Sequence, residues 1–173
     1  MTKNCKMTEY AFVLKYRLPH GMGGEAAVEA LGSAGCTDAL VGIGIAGRLA
    51  LEFDREAPDA ASAITSAIDD VARALPQAEL IEVGPDLVGL TEIAELLDVS
   101  RQNMRKLIVG ASGSPLPVHD GSTTLWHLAD VLDWLVAAKG YRIDKELRET
   151  ARAARSINLD RLVSRHGRAV AIA

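Results

Sequence analysis

The sequence predicts an α+β fold: a front unit of four strands and two helices, then a helical unit carrying one hairpin, then a further C-terminal helix. Apolar residues alternate with period two in short runs ahead of Gly84-Pro85, and from Leu87 onward they recur mainly at helical spacing. Composition agrees. Of the 173 residues 49% are apolar but only 4% aromatic, so the core must be built mainly from Ala, Val, Leu and Ile.

Tyr10 to Leu18 sets Phe12, Leu14, Tyr16 and Leu18 against Val13, Lys15 and Arg17, the pattern of a half-buried strand. Glu25 to Ala34 carries Ala27, Val28, Ala30 and Leu31 at helical spacing, with Gly35 where a helix stops. Asp38 to Phe53 reads as a hairpin with Val41, Ile43 and Ile45 in one arm and Leu49, Leu51 and Phe53 in the other. Keeping both sets on one face places Ile45 opposite Leu49 and leaves Ala46, Gly47 and Arg48 as an odd-numbered loop. Asp59 can cap a helix to Leu75 on Ile64, Ala67, Ile68, Val71 and Leu75, and Ala78 to Val83 is a last strand.

That order, strand, helix, strand, strand, helix, strand, is the ferredoxin-like split βαβ arrangement, assigned to residues 1–85; the likeness is topological and says little about function. Residues 86–140 form a second domain. Residues 141–173 follow as a basic C-terminal helix and tail, with the helix over Asp144 to Ile157 on Leu147, Ala151 and Ala154. His166 to Ala173 lack a clear period and read as a tail or a short added strand.

The net charge of −4 hides an uneven distribution. Through Asp86 there are 7 Lys and Arg against 13 Asp and Glu, whereas from Lys139 onward there are 9 against 4. Between them the only three cations, Arg101, Arg105 and Lys106, fall within six residues. The polar start and the lack of a long apolar run lead to the expectation of a cytoplasmic chain with no membrane segment. Cys5 and Cys36 are then expected as free thiols, and His20, His119, His127 and His166 have no zinc-type spacing, so neither metal nor cofactor is expected.

The informative segment runs from Leu90 to Ile108. Thr91 begins a short helix, Ala94 lets a second helix approach, Ile93 and Leu97 face inward and Val99 plugs the turn. Ser100 caps the second helix, whose Met104, Leu107 and Ile108 pack down on the first, which is the spacing of a helix-turn-helix. Arg101, Gln102, Asn103, Arg105 and Lys106 then point outward. Arg and Lys suit guanine O6 and N7, Gln and Asn suit adenine N6 and N7, and Ser100 at a helix start suits a phosphate. The turn usually favours Gly where this chain has Asp98, a residue that tolerates left-handed backbone.

Downstream, Asp120-Gly121 lies between two short extended runs, Leu116-Pro117-Val118 and Leu125-Trp126, a hairpin cue that makes 116–126 a wing. Its tip offers His119, Ser122 and Thr123 to DNA, and Trp126 reads as the anchor joining wing to helix. With Asp130-Val131-Leu132-Asp133-Trp134-Leu135 behind it, this succession resembles the MerR-like and excisionase-like winged-helix proteins over about a third of the chain. The resemblance implies bacterial or phage origin, DNA binding by the second helix and wing, and a dimer; the acidic first half is not part of it.

These readings predict a sequence-specific DNA-binding protein regulating transcription, a homodimer on double-stranded DNA, with Arg101, Gln102, Asn103 and Lys106 facing bases and Arg105 nearer phosphate. The rival is a protein-interaction or adaptor module that keeps the winged fold without binding DNA. The front domain is a candidate for a small-molecule effector or a protein partner. Arg148, Arg152 and Arg155, at i, i+4 and i+7, either track phosphates or pair with Glu149 and other acids. Gly42-Ile43-Gly44-Ile45-Ala46-Gly47 spells GxGxxG, but the residues after it alternate as a strand and supply no helix start for a pyrophosphate. No catalytic constellation stands out, so no enzyme is expected.

Overall fold

The computed structural model describes residues 6–167; Cys5 and the end of the C-terminal tail lie outside them. Strands β1 (Thr8–Arg17), β2 (Ala39–Gly42), β3 (Arg48–Ala57) and β4 (Glu79–Gly84) form one sheet in the order β2-β3-β1-β4, every neighbouring pair antiparallel. Period two decides its faces. Phe12, Leu14 and Tyr16 of β1 lie opposite Phe53, Leu51 and Leu49 of β3, all buried, and the Phe12 and Phe53 rings stack at 5.2 Å. Helices α1 (Gly24–Ser33) and α2 (Ala60–Ala74) cover that face with Ala27 and Leu31, and with Ala63, Ile64, Ala67 and Val71. Asp59 caps α2 through its carboxylate, which accepts from the Ser62 N–H at 2.7 Å.

The hairpin differs from expectation. Val41 pairs with Leu51 and Gly42 with Ala50, so the register is shifted by two residues, β2 ends at Gly42, and Ile43 and Ile45 are 49% and 70% exposed in a five-residue loop. The loop length is odd, as parity requires of a shared buried face; Gly47 ends the loop at φ 72, and its carbonyl accepts from Leu18 N–H. Since Arg48–Ala57 is a strand, no helix follows the GxGxxG glycines.

A second cluster is built from β5 (Leu87–Val88), α3 (Leu90–Leu96), α4 (Arg101–Val109), β6 (Trp126–His127) and α5 (Leu128–Lys139), with β5 and β6 paired antiparallel. Ile93, Met104, Ile108, Trp126, Leu128, Leu132 and Leu135 are its buried interior. The C-terminal helix α6 (Lys145–His166) is 22 residues long and runs well past the expected end at Ile157. It belongs to both clusters: Ala154 packs with the sheet and Ala151 with α5 and its neighbours.

Helix α6 also closes the outer edge of β4. Asn158 Oδ1 accepts from Val83 N–H at 2.9 Å while its Nδ2 donates to Val83 O at 2.8 Å, as a neighbouring strand would. One helical turn on, the Arg161 guanidinium donates to the carbonyls of Ile81 and Leu80. An edge so covered cannot recruit another chain. The described residues thus form a mixed α+β structure of six helices, and none of these is long and apolar enough to cross a membrane.

Candidate nucleic-acid interface

Helix α3 starts at Leu90, one residue ahead of the expected Thr91, because Glu92 reaches back to accept from the Gly89 N–H at 2.7 Å. Its end explains Asp98. Val99 N–H donates to Ala94 O and Asp98 N–H to Glu95 O, the two bonds of a Schellman motif, which needs a left-handed residue; Asp98 supplies it at φ 52. Val99 is thereby brought back over Ala94 at the corner. Ser100 then begins α4, its hydroxyl accepting from Asn103 N–H at 3.2 Å.

The corner sorts its residues as apolar spacing requires. Ile93, Ala94, Met104 and Ile108 are buried and Leu97, Val99 and Leu107 half-buried, whereas Arg101, Gln102, Asn103, Arg105 and Lys106 are all exposed. Among the described residues none of Arg101, Arg105 and Lys106 has an ion-pair partner.

Beside α4 stands the hairpin, joined by one bridge between His119 and Leu125. Asp120-Gly121 does not form the expected tight turn. Neither residue has a positive φ, and the loop spans five residues, 120–124. The His119 ring lies over Gly121, where a side chain would meet Nε2 at 2.6 Å. Trp126 is buried, and its indole N–H donates to Pro115 O at 3.2 Å, which pins the incoming arm of the hairpin. Arg101 and Arg105 share an open cleft of about 650 Å³ with Ser122 and Thr123; Glu92 and Asp120 also line it. Ser100, Gln102, Asn103, Lys106 and His119 are exposed outside that cleft. No known family, curated protein or solved structure matches the chain.

The cations of α6 are differently placed. Arg152 and Arg148 meet Asp133 at 2.6 and 3.2 Å, and Arg155 pairs with Asp130. They hold α6 to α5 and are not free for phosphates. Burial raises the Asp133 pKa, but hydrogen bonds from Arg152 and Arg148 outweigh it and hold the carboxyl below its ordinary value. Glu149, expected as a partner for these arginines, accepts from the Tyr10 hydroxyl at 2.9 Å and pairs with Lys145, and its pKa is lowered for those reasons.

Sequence reasoning passed over Asp86, His127 and Asn158. Asp86 is 2% exposed, with Oδ1 2.6 Å from His127 Nδ1 and Oδ2 accepting from Asn158 Nδ2 at 2.8 Å. Its backbone carbonyl accepts from Leu128 N–H at 2.7 Å, so this one residue links the sheet's end, α5 and α6. A signal was available: Asn between Ile157 and Leu159 is a poor helix residue unless its amide has a task. Burial pushes the Cys36 thiol pKa up, which makes it a poor nucleophile. Among the described residues no His, Cys, Asp and Glu cluster could hold a metal ion.

Proposed function

We propose that the protein is a sequence-specific, double-stranded DNA-binding regulator of transcription, acting as a homodimer and reading the major groove with α4 while the 116–126 hairpin serves as a wing. The exposure of five hydrophilic side chains on α4, three of them cations without an ion-pair partner among the described residues, carries this reading. Cations that only hold helices together are taken up by acids of a neighbouring helix, as those of α6 are by Asp133 and Asp130 of α5. Those of α4 stand exposed beside a hairpin lined with hydroxyls. Arg101, Gln102, Asn103 and Lys106 face bases, Arg105 and Ser100 sit nearer phosphate, and His119, Ser122 and Thr123 touch the backbone or minor groove.

The strand order β2-β3-β1-β4 supports a ferredoxin-like reading of the front unit, and the β5–β6 pair with the helical corner supports a winged helix-turn-helix. Repeated selection from randomised duplexes tests the function. Wild-type protein should enrich a motif with two half-sites, and Arg101→Ala should blur one position of each, worth about 1–3 kcal/mol in discrimination. Enrichment of nothing above the starting pool rejects the proposal. Leu116, 88% exposed on the same cleft, favours protein docking as the second reading, and that reading predicts unchanged partner binding in Arg101→Ala.

A further inference from the structure

Four of the large aliphatic side chains left in solvent meet in one groove. Leu87 of β5, Val118 of the hairpin and Leu159 and Leu162 of α6 are 37%, 54%, 45% and 51% exposed, and with Leu125 they wall a cavity of about 430 Å³ in which His127 also stands. Its charged rim is already committed: Lys15 pairs with Glu82 at 3.1 Å, and Arg161 donates to the β4 carbonyls. One nitrogen of the His127 imidazole, Nε2, is not.

The buried network fixes what that ring can offer. Asn158 is oriented by Val83, since its Oδ1 accepts from the Val83 N–H; its Nδ2 must therefore donate to Asp86. The Asp86 carboxylate has only acceptors to present, so His127 Nδ1 carries the hydrogen and donates to it. That leaves Nε2 as the ring nitrogen open to a ligand. It has no hydrogen-bond partner among the described residues, and it is not sealed from solvent.

We propose that this groove binds a small molecule with an aryl or branched aliphatic body and one hydroxyl group that hydrogen-bonds with His127 Nε2. Its volume lies within the range of ligand pockets, roughly 300–1,000 Å³, and aliphatic walls around one placed polar atom are what such a site needs. Because the walls come from the hairpin root, β5 and α6, an occupant ties the hairpin to the sheet unit and changes DNA affinity. That regulatory consequence rests on the DNA-binding reading; occupancy does not.

The test is an NMR titration of the full chain without DNA, using phenol and benzyl alcohol as probes and toluene as the control that lacks a hydroxyl. The methyl signals of Val118, Leu125, Leu159 and Leu162 and the His127 ring should shift saturably, with toluene about fivefold weaker than phenol. Leu162→Lys, on an exposed position, should weaken every probe about tenfold with the fold unchanged. In His127→Phe the difference between phenol and toluene should vanish; should that variant fail to fold, the wild-type comparison and Leu162→Lys still decide. Absence of saturable shifts at millimolar probe, or equal binding of toluene and phenol, overturns the proposal. A concentration-dependent dimer that Leu162→Lys abolishes also overturns it, because a second copy then fills the groove. Failure of the DNA reading would leave these shifts untouched.

Discussion

Asp98 is where local sequence preference and local geometry pull apart. A left-handed residue is required by the two hydrogen bonds that end α3, and Asp adopts that conformation at modest strain where a branched side chain does not. Asp98→Val should destabilise the protein by about 1–2 kcal/mol in urea titration, whereas Asp98→Gly should not destabilise it; equal losses for both would mean that the backbone is not the constraint. Asn158 is a stronger case because its amide serves three buried partners. Asn158→Ala leaves them unsatisfied and should cost about 3 kcal/mol. Asn158→Asp should cost more, since a carboxylate cannot donate to Val83 O and faces Asp86. If Asn158→Asp proves the milder change in thermal unfolding, the hydrogen-bond pattern assigned to α6 is wrong.

Among the elements, α4 and α6 show what a charge pattern can and cannot tell. Both carry clustered cations at helical spacing, and spacing alone left the α6 arginines open between phosphate and carboxylate. Only tertiary placement showed Asp133 and Asp130 of α5 beneath them, because those acids are 15 to 25 residues away in sequence. The buried faces of β1, β3, α2 and α4 were legible because one period governs each. Loop size was not. Parity gave the β2–β3 hairpin its face but not its register, and Asp120-Gly121 signalled a hairpin without the tight turn that usually accompanies it. Likewise the apolar spacing predicts α6 only as far as Ile157; the helix continues to His166, and its later apolar residues, Leu159, Leu162 and Val163, are exposed and do not extend the packed stripe. Asn158 alone carried a sequence signal; its partners Asp86 and His127 were illegible because the three come from separated segments. Asp133→Asn should lower stability by only about 0.5–1 kcal/mol, because the pair is partly exposed and screened, and should leave DNA affinity unchanged. A large loss of DNA affinity would return the α6 arginines to the interface.

For the molecule as a whole, α6 is the tie between the sheet and the helical corner, and three of its ion pairs, made by two carboxyls, set an acid limit. The Asp133 and Glu149 carboxyls have folded-state pKa values below their ordinary ones, so their contribution is present above about pH 4.5 and is lost as pH falls through the lower folded values. The thermal midpoint should therefore drop on acidification below about pH 4, and the double variant Asp133→Asn, Glu149→Gln should show a shallower drop than wild type. An identical acid limb in both would place the sensitive carboxyls elsewhere.

The acidic front half and the three exposed cations of α4 give the chain a polarity that a net charge of −4 conceals. The most direct test of that polarity is the salt dependence of duplex DNA affinity for wild type and Arg105→Ala. Wild-type affinity should fall steeply as salt rises, and the Arg105→Ala slope of log K against log salt should be shallower by about one. Affinity indifferent to salt, or the same slope in both proteins, would contradict the assignment of α4 to DNA.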